Sequence, residues 1–396
     1  MHGELDLDLA AETDAVVRLE IDARDDLRLH QVAVHVPAPE SRTLTKPKNV
    51  LLILVDTLRA DRLEPYAADT RVQTPGLSAF ARGATTFVHA HAQENWTKPS
   101  VATLLTSLMP WEHSATLDGS VLPNSVTMLP EVLQDSGFRT GSFICNGFVS
   151  DRFGFRQGWD TYRNYIREGR RTKAEFVAAD VLAWLDTHQE DHAEDPFFLY
   201  VHTIDPHVPY RPPQSFLEMY GGGDYNGPIQ AGRTAQVLEE IKLGRLRATP
   251  RDRAFLEALY DGEISYHDVH FRAILEGLES RGLADDTMVL LTSDHGEEFW
   301  DHGSVGHGHS VYEELLHVPL FVRIPGEAPR RIETPVGLVD VMPTILEALE
   351  VEAPPNLSGR SFLSELRGEP GDAPRATVSG FMENWRTVTV GRWKLV

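Results

Sequence analysis

Three features of this 396-residue chain predict an α/β fold around a parallel or mixed central sheet. Short, almost wholly apolar runs recur at residues 49–55, 140–145, 197–201 and 287–293. Strands buried on both faces read in this way. Stretches with helically spaced apolar residues stand between these runs. Two of the runs lead into carboxylates, Asp56 and Asp294. In open α/β sheets the carboxyl ends of the strands are where ligands bind.

Composition narrows the function. Hydrophobic residues make up 41% and charged residues 24%, the balance of an ordinary globular protein, and the length allows one large core or two smaller ones. A formal charge of −22 argues against nucleic acid and anionic membrane as partners, while leaving room for a local positive site that holds a phosphate or sulfate. The single cysteine, Cys145, cannot form an internal disulfide, and its place in the strand at 142–145 marks it as a small core residue. No apolar run approaches the roughly 20 residues of a membrane span. The start Met1-His2-Gly3-Glu4-Leu5-Asp6 lacks the basic and apolar regions of a signal peptide, which predicts a cytoplasmic protein.

Taken in order, residues 1–46 alternate polar and apolar at Val16–Ile21 and Leu29–Val36, predicting two strands of an accessory β segment without catalytic features. Pro37, Pro39 and Pro47 mark a linker. The main domain is placed at 47–380. Within it the pattern predicts helices over 75–82, 129–135 and 173–187, and a strand over 85–87. Residues 211–250, rich in Gly and Pro, read as a flexible insertion beside the substrate entrance. Arg251 to Arg281 reads as one long amphipathic helix whose charges form a solvated face. Residues 317–323 read as a further strand, and 381–396 as the start of a small C-terminal β subdomain.

The chain is organised around Gln93–Ser107. Pro99 and Ser100 suit a helix start, and Val101, Ala102, Leu104 and Leu105 supply an apolar face. Thr97 then sits at the helix mouth, among free N–H groups and the positive dipole end, where an anion binds and a hydroxyl nucleophile is useful. The plainer alternative is a capping Thr before a buried helix. Asp56 has its own plain alternative, a turn cap after its strand. His207, in Asp205-Pro206-His207-Val208-Pro209-Tyr210, can donate to an oxyanion and act as an acid; otherwise it is a loop histidine packed by prolines. The densest chemistry is Asp294-His295-Gly296-Glu297 followed by His302, His307 and His309, a mixed oxygen and nitrogen set suited to a zinc-like ion.

These segments together resemble the sulfatases of the alkaline phosphatase superfamily. Thr97-Lys98-Pro99-Ser100 resembles their nucleophile segment, usually Cys or Ser, any residue, Pro, Ser, Arg. Here Thr97 replaces the residue that is oxidised to formylglycine, and Val101 replaces the Arg. Val55-Asp56-Thr57-Leu58-Arg59-Ala60-Asp61 resembles the first metal segment, with Thr57 where many members have a second Asp. Asp294-His295-Gly296 resembles the second metal segment, and Gly306-His307-Gly308-His309-Ser310 the segment whose Lys contacts the oxyanion, with His307 in its place. The two-zinc members have a His four residues after the Asp; here that position is Pro209. The resemblance implies a three-layer α/β/α sandwich with a large mixed central sheet and a short C-terminal β element.

It also implies a mechanism. Asp56, Asp294, His295 and Thr97 hold one divalent ion (Zn, Mn or Ca), and no formylglycine is expected. Thr97 is the nucleophile. Lys98 and His307 hold the non-bridging oxygens, and His207 or His309 protonates the leaving oxygen. The expected activity is hydrolysis of phosphate diesters, monoesters or phosphonate esters. The expected substrate is a small-molecule, glycan-linked or lipid-linked anionic ester. A sulfuric-ester hydrolase, a phospho-group transferase and a non-catalytic binding module that kept the fold are the alternatives.

Overall fold

The computed structural model describes residues 46–369, 375–381, 385–391 and 393–396. The two strands expected between Val16 and Val36 lie outside the described residues.

The chain enters at β1 (Asn49–Val55), whose seven residues are all buried. Helix α1 (Pro75–Arg82), strands β2 (Thr85–Phe87) and β3 (Ala90–His91), and helices α2 (Thr97–Thr106), α3 (Pro110–His113) and α4 (Leu129–Asp135) follow. Next come β4 (Arg139–Ile144), β5 (Thr161–Asn164), α5 (Ala174–His192) and β6 (Phe197–Thr203). Helices α6 (Gln214–Glu218), α7 (Thr234–Lys242) and the 31-residue α8 (Pro250–Ser280) lead to β7 (Thr287–Thr292). The remainder comprises β8 (Glu298–Phe299), β9 (Val305–Gly306), α9 (Glu313–Leu316), β10 (His317–Val318), β11 (Leu320–Arg323), β12 (Arg331–Ile332), β13 (Val336–Gly337), α10 (Val341–Ala348), α11 (Leu363–Arg367) and β14 (Thr377–Phe381), β15 (Trp385–Val390) and β16 (Trp393–Leu395).

Eight strands form the main sheet in the order β12-β2-β11-β7-β1-β6-β4-β5. The run β7-β1-β6-β4-β5 is parallel, and β11 pairs antiparallel with both β7 and β2, so the sheet is mixed. Side chains alternate across it. Val50, Leu52 and Leu54 join one core with residues of α2, α4 and α10; Leu51, Ile53 and Val55 join another with α1, α5 and α8. This is the three-layer α/β/α sandwich expected. Truncating one of these fully buried leucines to alanine costs roughly 2–5 kcal/mol.

Register places the site. Leu54 of β1 lies opposite Thr292 of β7 and His202 of β6, and Ile144 of β4 lies opposite His202. Asp56, Asp294 and Asn146 therefore follow β1, β7 and β4 at the carboxyl end of the sheet, with His202 on β6 between β1 and β4.

Four expectations change. Residues 211–250 carry α6 and α7, each with a buried leucine (Leu217 and Leu238) that docks it. The charges of α8 are not all solvated: Asp261 pairs with Arg62 and Arg71, Glu263 with Lys173, and Asp268 accepts the N–H groups of Gly76 and Leu77 at the start of α1. Periodicity does not distinguish an outward charge from one paired inside. The strand at 317–323 breaks at Pro319, so β10 pairs with β3 while β11 joins the main sheet. The C-terminal sheet starts at Thr377 of β14, before the boundary drawn at 381.

Candidate functional site

Helix α2 starts at Thr97, two residues earlier than Pro99 and Ser100 suggested, and Trp96 offers it no side-chain cap. All ten residues of α2 are buried. A helix buried on every face belongs to a core, and here the core fixes the position of its first turn. Ser100 adds a hydrogen bond from Oγ to the Asp294 carbonyl at 2.6 Å.

The two carboxylates are half satisfied in the same sense. Asp56 Oδ2 accepts from Asn146 Nδ2 at 2.7 Å and faces His202 Nε2 at 3.1 Å, while Oδ1 is buried without a hydrogen-bond partner among the described residues. Asp294 Oδ1 accepts the N–H groups of Thr57 (3.1 Å) and His295 (3.0 Å), while Oδ2 is buried and likewise unpartnered. Thr57 reaches Asp294 from a left-handed conformation, φ 59°, which is costly for a β-branched residue. Tyr260 holds that turn by donating to the Thr57 carbonyl at 2.6 Å.

His295 completes the set. Its Nδ1 donates to the Gly296 carbonyl at 2.9 Å, so Nε2 carries the lone pair. That Nε2 stands 3.4 Å from Asp294 Oδ2, 3.9 Å from Asp56 Oδ1 and 3.4 Å from Thr97 Oγ1. Two buried carboxylates with orphaned oxygens and a bare imidazole nitrogen fit a divalent cation. Without one, burial and the neighbouring Asp56 charge push Asp294 up; burial also opposes the charge on Asp56, but His207 and His202 outweigh it and hold Asp56 low.

His202 is the main addition to the expected set. It shares ligand-distance spacing with Asp56 and Asp294, all three offering atoms within 4.8 Å of one another. A carboxylate accepts only, so Nε2–H donates to Asp56 Oδ2 and Nδ1 receives the Tyr200 hydroxyl at 3.2 Å. His202 thus orients Asp56 from the side opposite Oδ1. Asn146 does the same, and its Nδ2 also lies 3.4 Å from Thr97 Oγ1.

The remaining histidines divide. His307 Nδ1 lies 2.8 Å from Glu297 Oε1, and its ring stands 4.5 Å from that of His295 and 5.0 Å from that of His207. Burial pulls His307 down to about 4 despite Glu297. It is therefore neutral, donates Nδ1–H to the carboxylate, and presents a lone pair at Nε2. The expected grip of His307 on an anion thus needs a second proton. Glu297 also receives the Tyr210 hydroxyl at 2.8 Å, which joins the His207 loop to His307. His207 donates Nδ1–H to the Val208 carbonyl at 2.5 Å; burial disfavours its charge, but Asp56 and Glu297 prevail and raise it.

Two expected residues point elsewhere. Lys98 Nζ donates to the carbonyls of Leu117 (2.5 Å), Asp118 (2.9 Å) and Ser120 (2.8 Å) and lies over the Phe153 ring. All three of its donors are spent on a loop, so it does not hold substrate oxygens. The helical turn between Thr97 and Lys98 aims consecutive side chains apart. His309 pairs with Glu298 at 2.8 Å, and with His302 and Tyr312 it lines a cavity of about 670 Å³ rather than the Asp56 cluster. The glycines on both sides of His307, Gly306 and Gly308, have φ of 76° and 71°, a left-handed backbone that turns the chain between His307 and His309.

The rule that found Asp56, a polar residue just beyond a buried strand, also points to Asn146 beyond the strand at 140–145. Glu297 stood inside the Asp294–Glu297 segment with no signal of its pairing.

The sulfatase family model matches residues 48–351. The ulvan-active sulfatase of Formosa agariphila is 26% identical over 355 residues, covering 82% of this chain and 66% of that protein; the chain thus spans about two thirds of that relative's length. Among solved structures, the phosphonate monoester hydrolase SpPMH from Silicibacter pomeroyi superposes with a TM-score of 0.72 at 23% identity, covering 88% of this chain and 86% of that one. BT4656, in complex with its substrate D-glucosamine-2-N,6-O-disulfate, gives 0.71 at 18% identity over 89% of this chain and 88% of that one. The structural likenesses establish a shared fold.

Proposed function

The chain belongs to the sulfatase family, and from that premise we propose that it is a metal-dependent hydrolase of phosphate or phosphonate esters with Thr97 as its nucleophile. One observation supports this above the others: a threonine hydroxyl at the first residue of α2, 3.4 Å from the bare nitrogen of His295 and 3.4 Å from the Asn146 amide.

Asp56, Asp294, His295 and Thr97 would hold the cation. Bound there, a divalent ion supplies charge that lowers the hydroxyl pKa and offsets the two carboxylates. The Thr97 oxygen, its proton lost to solvent, bonds to phosphorus in line with the P–O bond to the departing alcohol, which breaks. Asn146 fixes the hydroxyl, and the uncapped N–H groups of α2 face the substrate anion. His207, whose Nδ1–H is fixed on the Val208 carbonyl, gives a proton from Nε2 to the departing oxygen when it is protonated. Water then cleaves the phospho-threonine ester: its oxygen bonds to phosphorus, one of its protons passes to His207, and the Thr97 oxygen departs and regains a proton.

Thr97 also separates this reading from sulfate ester hydrolysis. Formylglycine is an aldehyde; the extra methyl of threonine allows at most a ketone at Cβ, so the geminal-diol route is closed in its usual form. A panel of aryl sulfate, phosphate monoester, phosphate diester and phosphonate monoester tests the proposal. Turnover of a phosphorus ester well above that of the sulfate is expected; the reverse order would favour a sulfuric-ester hydrolase.

A further inference from the structure

Beside Thr97 the surface turns apolar. Leu117, Phe148 and Ile166 are 50%, 39% and 52% exposed, although large apolar side chains are otherwise mostly buried in this fold. They gather on one rim. The Lys98 ammonium holds the Leu117 carbonyl and lies 5.8 Å from the Phe148 ring centre. Phe148 meets the Trp96 ring edge-on at 5.6 Å and stacks on Phe153 at 5.7 Å, so its orientation is fixed from beneath. Ile166 flanks it: a Cβ placed on neighbouring Gly147 would stand 3.3 Å from Ile166 Cγ2.

The rim is joined to the reacting group by hydrogen bonds. Asn146 Oδ1 accepts the Phe148 N–H at 2.8 Å, while Nδ2 of the same amide touches Asp56 and Thr97. Its carbonyl receives Asn164 Nδ2 at 2.9 Å, and Asn164 Oδ1 accepts the Arg167 N–H at 3.0 Å, which secures the segment bearing Ile166. One amide thus sets both the nucleophile and the apolar rim. Trp96 immediately precedes Thr97 in the chain.

We infer that Leu117, Phe148 and Ile166 bind the organic substituent of the ester, and that the site favours an aryl substituent over a methyl one. The inference rests on the proposed function, since it takes the anion to sit at Thr97. Of the polar groups beneath the rim, the Lys98 donors are spent and Asn146 and Asn164 are engaged at both ends of their amides, while Trp96 Nε1 is buried without a hydrogen-bond partner among the described residues. What the rim offers is area removed from water.

Methylphosphonate and phenylphosphonate share a head group and differ only in the substituent, so their binding isolates the rim without requiring turnover. Calorimetric titration of the purified chain should show phenylphosphonate binding about tenfold more tightly, as partial burial of one ring implies. Phe148→Ser and Ile166→Ser should each shrink that preference, and the pair should bring it near unity. Val269→Ser, equally exposed but on α8, should leave it intact. The unfolding midpoint of each variant checks that it is folded. Equal affinity of the two anions for the wild type, or a preference that survives both rim substitutions, overturns the inference while the anion site stands. Failure of both anions to bind overturns the anion site, and the rim with it.

Discussion

The Nε2 atom of His295 faces the Thr97 hydroxyl at 3.4 Å, with its own proton placed on the far nitrogen by the Gly296 carbonyl. A hydroxyl so placed is expected to be essential. Thr97→Ala should lower turnover by roughly 10⁴–10⁶. Thr97→Ser should keep part of it, and intact-mass analysis should find residue 97 unoxidised. Full activity in the alanine variant would remove Thr97 from the chemistry.

The two histidines near Asp56 should separate by metal content. His295 offers a lone pair to the orphaned oxygens, whereas His202 spends its Nε2 proton on Asp56 Oδ2. His295→Ala should lose the ion on dialysis. His202→Ala should retain it with affinity lowered about 10–100-fold, as for an orienting partner. Elemental analysis with chelator titration checks this, and about one divalent ion per chain is expected. The opposite pattern would make His202 the ligand.

Lys98 should matter for stability more than for chemistry. Lys98→Met strands three carbonyls of residues 117–120, a loss of roughly 1.5–3 kcal/mol on denaturant unfolding. Turnover per folded molecule should fall less than about tenfold. A hundredfold loss at unchanged stability would return Lys98 to the oxyanion.

His113 gives α2 a defined acid sensitivity. Its Nδ1 accepts the Ala115 N–H at 3.1 Å, and Nε2 donates to Thr103 of α2 at 3.1 Å, so the ring is neutral. Burial pulls its pKa from 6.5 down to about 4. Folding favours the uncharged form, so this contribution is complete above pH 6.5 and lost as pH falls toward 4. The difference amounts to about 3 kcal/mol. Denaturant midpoints at pH 7 and pH 4.5 should diverge less in His113→Gln than in the wild type; equal divergence would assign the acid sensitivity to other groups.

Local sequence determined a great deal here. A strand buried on both faces must be apolar throughout, so β1, β6 and β7 could be recognised without neighbours, and the polar residue ending each run marked the sheet edge. Asp56, Asp294, His295 and Thr97, singled out in this way or by their motif, lie together in the structure. Partnership was decided by the tertiary structure. Whether Lys98 meets substrate or three carbonyls depends on a loop some twenty residues away in sequence. His309 faces Glu298 while His307 faces Glu297, because left-handed glycines turn them apart. His202 and Asn146 gain their places only from the register that sets β6 beside β1 and β4 beside β6. Composition and periodicity report whether a residue leaves water; which atom it then meets is a long-range property of the packed chain.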